Sequence, residues 1–132
     1  MKKLTDLLSG IKYSSASDIS EMTVSDIVYN SKKAFGGALF VCMRGAVSDG
    51  HRYARDAYER GARIFICEHE IDLPSDAVLI EVENARAALA DISANFFDHP
   101  ENKLYLIGIT GTKGKSSTCA MIFHALNSCG VK

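Results

Sequence analysis

Three short apolar runs, separated by helix-length stretches, restrict this chain more than any other feature. Residues 38–43 (ALFVCM), 63–68 (RIFICE) and 78–82 (VLIEV) are of buried-strand length and mostly apolar at successive positions. A strand covered on one face alternates, whereas one covered on both reads as a continuous run. Between the first two runs, Asp49 caps a predicted helix over residues 51–60, with Tyr53, Ala54, Ala57 and Tyr58 on one face and Gly61 as its stop. After the third, Asn84 caps a longer helix in which Ala85, Ala88, Leu89, Ile92 and Phe96 recur at three- and four-residue steps until Pro100. A short helix at residues 4–8, stopped by Gly10, and a strand at 26–31 (DIVYNS) precede them. This alternation predicts an α/β fold of three layers over residues 1–99.

The polar stretch 98–102 (DHPEN) is the predicted boundary. Beyond it, residues 104–109 (LYLIGI) read as a further strand, leading through TGTKGKSS into a last helix that runs to Ser128 and is closed by Gly130. A lone strand and helix cannot make a core. This piece is therefore expected to pack onto the first part or to belong to a larger domain that continues beyond the chain. The unpaired edges of 104–109 predict addition to the first sheet or self-association with a second copy.

The glycine-rich segment carries the clearest chemistry. Gly111, Thr112, Lys113, Gly114, Lys115, Ser116 and Ser117 follow an apolar run and open a helix. Glycines let successive backbone N–H groups converge on one anion, and a helix N-terminus adds free donors and partial positive charge. At these positions Lys115 is the expected contact for nucleotide β- and γ-phosphates, and the Ser116 hydroxyl the expected ligand of Mg²⁺. The spacing is tighter than G-x-x-x-x-G-K-[ST], with Gly111 three residues before Gly114. Lys113 is either a second phosphate contact or a solvated lysine.

Composition closes off other classes. The 132 residues carry 15 basic and 16 acidic side chains, net charge -1, without the cationic face that nucleic acid or an anionic membrane surface requires. No apolar run approaches the ~20 residues of a membrane span, and the N-terminus lacks the pattern of a secretory signal, so the expectation is a soluble cytoplasmic protein without membrane insertion. Cys42, Cys67, Cys119 and Cys129 form no CxxC pair, and His51, His69, His99 and His124 have no partner at ligand spacing. His51 reads as a helix-start residue and Asp49-Gly50 as turn and cap.

With these residues in view, the sequence resembles the Mur ligases. Their ATP loop is usually TGTNGKTT, against TGTKGKSS here. Their first domain carries Asp-Ser-Arg, then G-D-L-F-V-A, then G-x-x-x-D-G-H and a helix ending in Gly-Ala. The corresponding residues are Asn30-Ser31-Lys32, Gly37-Ala38-Leu39-Phe40-Val41, Gly45 with Asp49-Gly50-His51, and Gly61-Ala62. The likeness runs in order along nearly the whole chain and points to the branch that adds the third amino acid of the peptidoglycan stem.

That resemblance implies a three-layer N-terminal domain over residues 1–99, which holds the uridine nucleotide end of UDP-N-acetylmuramoyl-L-alanyl-D-glutamate. It makes residues 103–132 the first strand, P-loop and helix of a central ATP-binding domain. In such enzymes the γ-carboxylate of D-glutamate is phosphorylated from ATP with Mg²⁺, and the amine of diaminopimelate or L-lysine attacks the acyl phosphate. Carried over by alignment, the sugar-nucleotide contacts fall on Tyr29 and Ser31 and on Ala46, Val47 and Ser48. The triphosphate cradle falls on Gly111 to Ser117. On its own Ser31 also reads as an ordinary turn serine. The departures Asn30 and Lys32 remove an ion-pair option, and Ser116-Ser117 keeps the metal-binding hydroxyl. No catalytic residue is expected within these 132 residues, and the piece alone is expected to be inactive. The alternatives are the related ligase that adds D-Ala-D-Ala, a non-catalytic uridine-nucleotide module, and a self-contained P-loop NTPase, which would need a strand after the loop.

Overall fold

The computed structural model describes residues 1–45, 49–104 and 106–130. They divide into two compact units, Met1–Pro100 and Glu101–Lys132. In the first unit the elements are β1 (Lys2–Lys3), α1 (Leu4–Leu7), β2 (Tyr13–Ser14), β3 (Thr23–Val24), β4 (Asp26–Val28), β5 (Ala38–Val41), α2 (Ala54–Glu59), β6 (Ile64–Cys67), β7 (Val78–Val82) and α3 (Ala85–Phe96). Five strands form one sheet in the order β2-β7-β6-β5-β4. From β4 to β7 every pairing is parallel, with Val28 opposite Phe40, Phe40 opposite Phe65 and Phe65 opposite Leu79. Only β2 runs antiparallel, against β7. β1 and β3 make a separate antiparallel pair.

The apolar runs behave as their composition demands, because both sheet faces are covered. Leu39, Val41, Ile64, Ile66, Val78, Ile80 and Val82 project to one face, where Leu4 and Leu7 of α1 and Ala85, Ala88 and Ile92 of α3 cover them. The intervening Ala38, Phe40, Phe65 and Cys67 project to the other, against Ala54 and Ala57 of α2. The result is three layers, as the alternation predicts. Small residues on α2 let its backbone approach the two phenyl rings, which meet edge-on at 5.9 Å and 62°. Burial pushes both core thiols up, Cys67 to about 11, so Cys42 and Cys67 serve as small hydrophobes.

Helix ends follow local chemistry. The Asn84 side chain accepts from the Ala87 N–H at 2.9 Å and starts α3. At the end of α2, the Gly61 N–H donates to Tyr58 and the Ala62 N–H to Ala57, closing a Schellman motif. Gly61 has φ +109°, and a Cβ there would meet the Gly36 nitrogen at 3.0 Å, so only glycine fits.

Three expectations are corrected. The strand expected over 26–31 ends at Val28, because Asn30 turns the chain into a 3-10 helix at Ser31–Lys33. The helix expected over 51–60 is a 3-10 turn, Gly50–Tyr53, followed by α2. Three residues per turn before Ala54 take Tyr53 off the buried face, and it is 47% exposed. Third, the described residues among 104–109 form no strand: without a neighbouring ladder their backbone groups have no strand partner, and Leu104, Leu106 and Ile107 are exposed. The strand edge on which self-association would rest is therefore absent from the described residues. The second unit contains α4 (Lys115–Ser128). No helix among the described residues is long and apolar enough to cross a membrane.

Candidate functional site

In an open parallel sheet the crevice beyond the carboxyl ends of the strands is where ligands bind. A cleft of about 420 Å³ lies at that end of the first unit. Its first wall follows β4, where the Asn30 side chain accepts from the Lys32 N–H at 3.0 Å and sets Tyr29, Ser31 and Lys32 along the rim. The second wall follows β5, where Arg44 and Asp49 pair as an isolated antiparallel backbone bridge and the Gly50 N–H donates to the Met43 carbonyl at 2.8 Å. Met43, Gly45, Gly50 and Tyr53 face the cleft from this side. The third wall is Arg86, in the first turn of α3, whose guanidinium reaches the Arg44 carbonyl at 3.5 Å.

Charge separates this cleft from three others on the same unit. Among the described residues it is lined by two cations, Lys32 and Arg86, and no carboxylate. The others hold Glu70 and Glu81, Glu70 and Asp72, or Glu83 and Asp91 with Lys12. Its two tyrosines, Tyr29 and Tyr53, are 64% and 47% exposed and offer ring faces to a ligand. An anion bearing an aromatic or sugar group suits this lining; a cation does not.

Of the residues singled out from sequence, Tyr29 and Ser31 line the cleft together. Ala46, Val47 and Ser48 lie outside the described residues. Ser31 is 7% exposed and lies beside Asp56 of α2; its hydroxyl is the main influence holding that carboxyl below the ordinary carboxylate value, with Arg60 adding to it. The backbone N–H of His51 and then its ring do the same for Asp49. Lys32, Met43, Gly50, Tyr53 and Arg86 were not read as site residues from sequence. Arg86 left a signal: a cation in the first turn of a helix opposes the helix dipole, and that turn holds no acid.

The glycine-rich loop lies in the second unit and is exposed throughout. Gly114, at φ +79°, stands before the first turn of α4, which has no side-chain cap and no acid. Its N-terminal N–H groups are thus free to take an anion. The Lys115 ammonium donates to the Gly111 carbonyl at 2.7 Å, folded back over the loop. Gly111, Thr112, Lys113, Gly114, Lys115, Ser116 and Ser117 together carry backbone donors, two cations and three hydroxyls, a chemical set that fits a polyphosphate.

Comparison with known proteins identifies the family. The family model described as Mur ligase family, catalytic domain, matches residues 23–97, more than half of the chain, and ends before the glycine-rich loop. The UDP-N-acetylmuramoyl-L-alanyl-D-glutamate--2,6-diaminopimelate ligase of Clostridioides difficile is 36% identical over 94% of this chain and 25% of its own length. The ligase of the same name from Bacillus licheniformis is 39% identical over 97% of this chain and 26% of its own. This chain thus spans about a quarter of the curated relatives it matches. Among solved structures, the UDP-N-acetylmuramoylalanyl-D-glutamyl-2,6-diaminopimelate--D-alanyl-D-alanyl ligase of Acinetobacter baumannii superposes with TM-score 0.71 at 23% identity, over 94% of this chain and 27% of that one. MurF ligase from Thermotoga maritima, solved with ADP, gives 0.59 at 24% identity, over 82% and 24%. The match of the family model over more than half of its residues places this chain in the Mur ligase family.

Proposed function

We propose that this chain supplies the sugar-nucleotide site and the phosphate loop of an ATP-dependent amide ligase of peptidoglycan synthesis, acting in the bacterial cytoplasm. The observation that carries the reading is similarity at 36–39% identity across 94–97% of the chain to ligases named for UDP-N-acetylmuramoyl-L-alanyl-D-glutamate and 2,6-diaminopimelate. In this reading residues 1–99 are the UDP-substrate domain and residues 103–132 the start of the ATP-binding domain. The added amino acid is diaminopimelate, as in those relatives' names, rather than L-lysine.

Each part has a physical role. Lys32 and Arg86 neutralise the diphosphate of the substrate, and Ser31 donates a hydroxyl hydrogen bond to it, exchanging its place beside Asp56 for the ligand. Tyr29 and Tyr53 pack on the uridine, and Ala46, Val47 and Ser48, which lie outside the described residues, are its further contacts by family alignment. In the loop, the backbone from Gly111 to Gly114 and the N–H groups of Lys115, Ser116 and Ser117 hold the triphosphate. Lys115 leaves the Gly111 carbonyl to meet it, and Ser116 offers its hydroxyl to Mg²⁺. When bound, MgATP supplies the phosphoryl group that activates the acceptor carboxylate. These residues, about a quarter of the length of the ligases they match, are read as binding without turnover. The D-Ala-D-Ala-adding ligases share the fold, but at 23–24% identity they support nothing beyond it.

Calorimetric titration tests this reading. UDP-N-acetylmuramoyl-L-alanyl-D-glutamate is expected to bind the chain, and Ser31→Ala to weaken it ~10-fold or more through loss of one hydrogen bond to a charged group. MgATP is expected to bind separately and to be lost in Lys115→Ala. Sugar-nucleotide affinity unchanged by Ser31→Ala would refute the assignment of the cleft.

A further inference from the structure

One buried histidine ties the walls of the cleft together. His51 is 7% exposed and both ring nitrogens are engaged. Its Nε2 lies 3.0 Å from the backbone nitrogen of Glu68, just past β6, and its Nδ1 lies 2.5 Å from the Asp49 carboxylate. A backbone N–H can only donate, so Nε2 is the acceptor and the proton sits on Nδ1, facing Asp49. The ring of His69 stacks on it at 4.1 Å. Glu68 then continues the path: its carboxylate accepts from the Ala85 N–H at 2.9 Å, the first N–H of α3.

The path closes on itself. Asp49 and Arg44 face each other as an isolated antiparallel backbone bridge, held by the Gly50 N–H on the Met43 carbonyl at 2.8 Å, and the Arg44 carbonyl receives the guanidinium of Arg86, the neighbour of Ala85. A circuit of four hydrogen bonds and one backbone bridge therefore links the wall after β5 to the wall at α3 through the end of β6. Each group in it accepts or donates in only one sense, which fixes the separation of the walls in a way that apolar packing does not.

We propose that His51 and Glu68 are positioning residues for the sugar-nucleotide cleft, holding Arg86 at a set distance from the Met43–Gly50 wall so that its guanidinium meets the diphosphate. This inference rests on the reading of the cleft given above. Neither side chain touches the ligand. Loss of a well-placed hydrogen bond to a charged group costs about tenfold or more in binding, and that is the loss expected when the circuit is cut.

The test uses the full 132-residue chain, labelled with nitrogen-15, with UDP as the probe. In His51→Asn the amide nitrogen stands where Nδ1 was and keeps the donation to Asp49, while the acceptor for Glu68 is gone. Glu68→Ala removes the second link, and Glu68→Gln keeps an oxygen acceptor for Ala85. Without ligand, His51→Asn and Glu68→Ala are expected to shift the Arg86 and Gly45 resonances. Both should bind UDP about tenfold more weakly, and Glu68→Gln should return to within about threefold of the parent. Because Glu68 is only half-buried, its pair of variants carries the test if His51→Asn does not fold. Unmoved Arg86 resonances, or parent-like UDP binding by Glu68→Ala, would overturn the proposal. If the parent chain itself does not bind UDP, the reading of the cleft fails, and the ligand-free resonances still decide whether the circuit couples the walls.

Discussion

Gly50 stands where the cleft wall is tightest, and alanine there should damage stability and binding together. An added Cβ would lie 2.6 Å from the Met43 carbonyl oxygen and 2.7 Å from its nitrogen, both backbone atoms, against an ordinary contact of 3.4–4 Å. Relief requires the two segments to part by about 0.8 Å, which stretches the 2.8 Å bond from the Gly50 N–H to Met43 to about 3.6 Å, beyond hydrogen-bonding reach. Gly50 does not have positive φ, so the cost is steric. One lost backbone hydrogen bond contributes about 1 kcal/mol and overpacking about 1–3, giving about 2–4 kcal/mol. Gly10 is the contrast: its φ is +81° but nothing lies within 4 Å, so Gly10→Ala should cost about 1 kcal/mol, from backbone conformation alone. Urea unfolding followed by circular dichroism measures both, and a UDP titration reads the cleft. Gly50→Ala within about 0.5 kcal/mol of the parent, with unaltered affinity, would refute the reasoning.

Other perturbations address the core, the carboxylates and the loop. Phe65→Ala empties the centre of the α2-facing layer, where the ring is fully buried against Phe40, and should cost about 3–5 kcal/mol in urea unfolding. Asn95 donates to the carbonyls of Leu7 and Ser9 at 2.9 and 3.1 Å, so Asn95→Ala should release the end of α1 at about 1–2 kcal/mol, read as a lower urea midpoint. Asp49, Asp56 and Asp76 are all held below the ordinary 3.8, by His51, by Ser31 and by Tyr58 with Arg63. Depressed folded values mean that their stabilisation is present above the unfolded value and is lost as pH falls through the folded one. Melting temperature should therefore be level above about pH 5 and decline below about pH 4, less steeply in Asp56→Asn. Lys115→Ala should abolish MgATP-induced amide shifts at Gly111 and Gly114 while leaving the melting of the first unit unchanged.

What the sequence disclosed follows from how local each signal is. β5, β6 and β7 were legible because strands covered on both faces need consecutive apolar residues, and the Asn84 cap with its three- and four-residue steps needs nothing outside α3. β1, β2 and β3 were not: each is two residues long and exists only through distant pairing, Lys2 with Val24 or Tyr13 with Val82. Residues 104–109 carry strand composition, yet composition cannot supply the neighbour a ladder requires. In the cleft, Tyr29 and Ser31 came from a family resemblance. Lys32, Tyr53 and Arg86 arrive from three separate stretches, and only the sheet brings them to one end.

The central claim is that the cation-lined cleft beyond β4 and β5 is where the sugar nucleotide binds. Nitrogen-15 amide mapping of the chain, titrated with UDP-N-acetylmuramoyl-L-alanyl-D-glutamate, tests it most directly. Saturable shifts are expected at Tyr29, Ser31, Gly50, Tyr53 and Arg86, with the Glu70, Glu81 and Asp91 surfaces unmoved. Shifts confined to those acidic surfaces, or none at millimolar ligand, would contradict it.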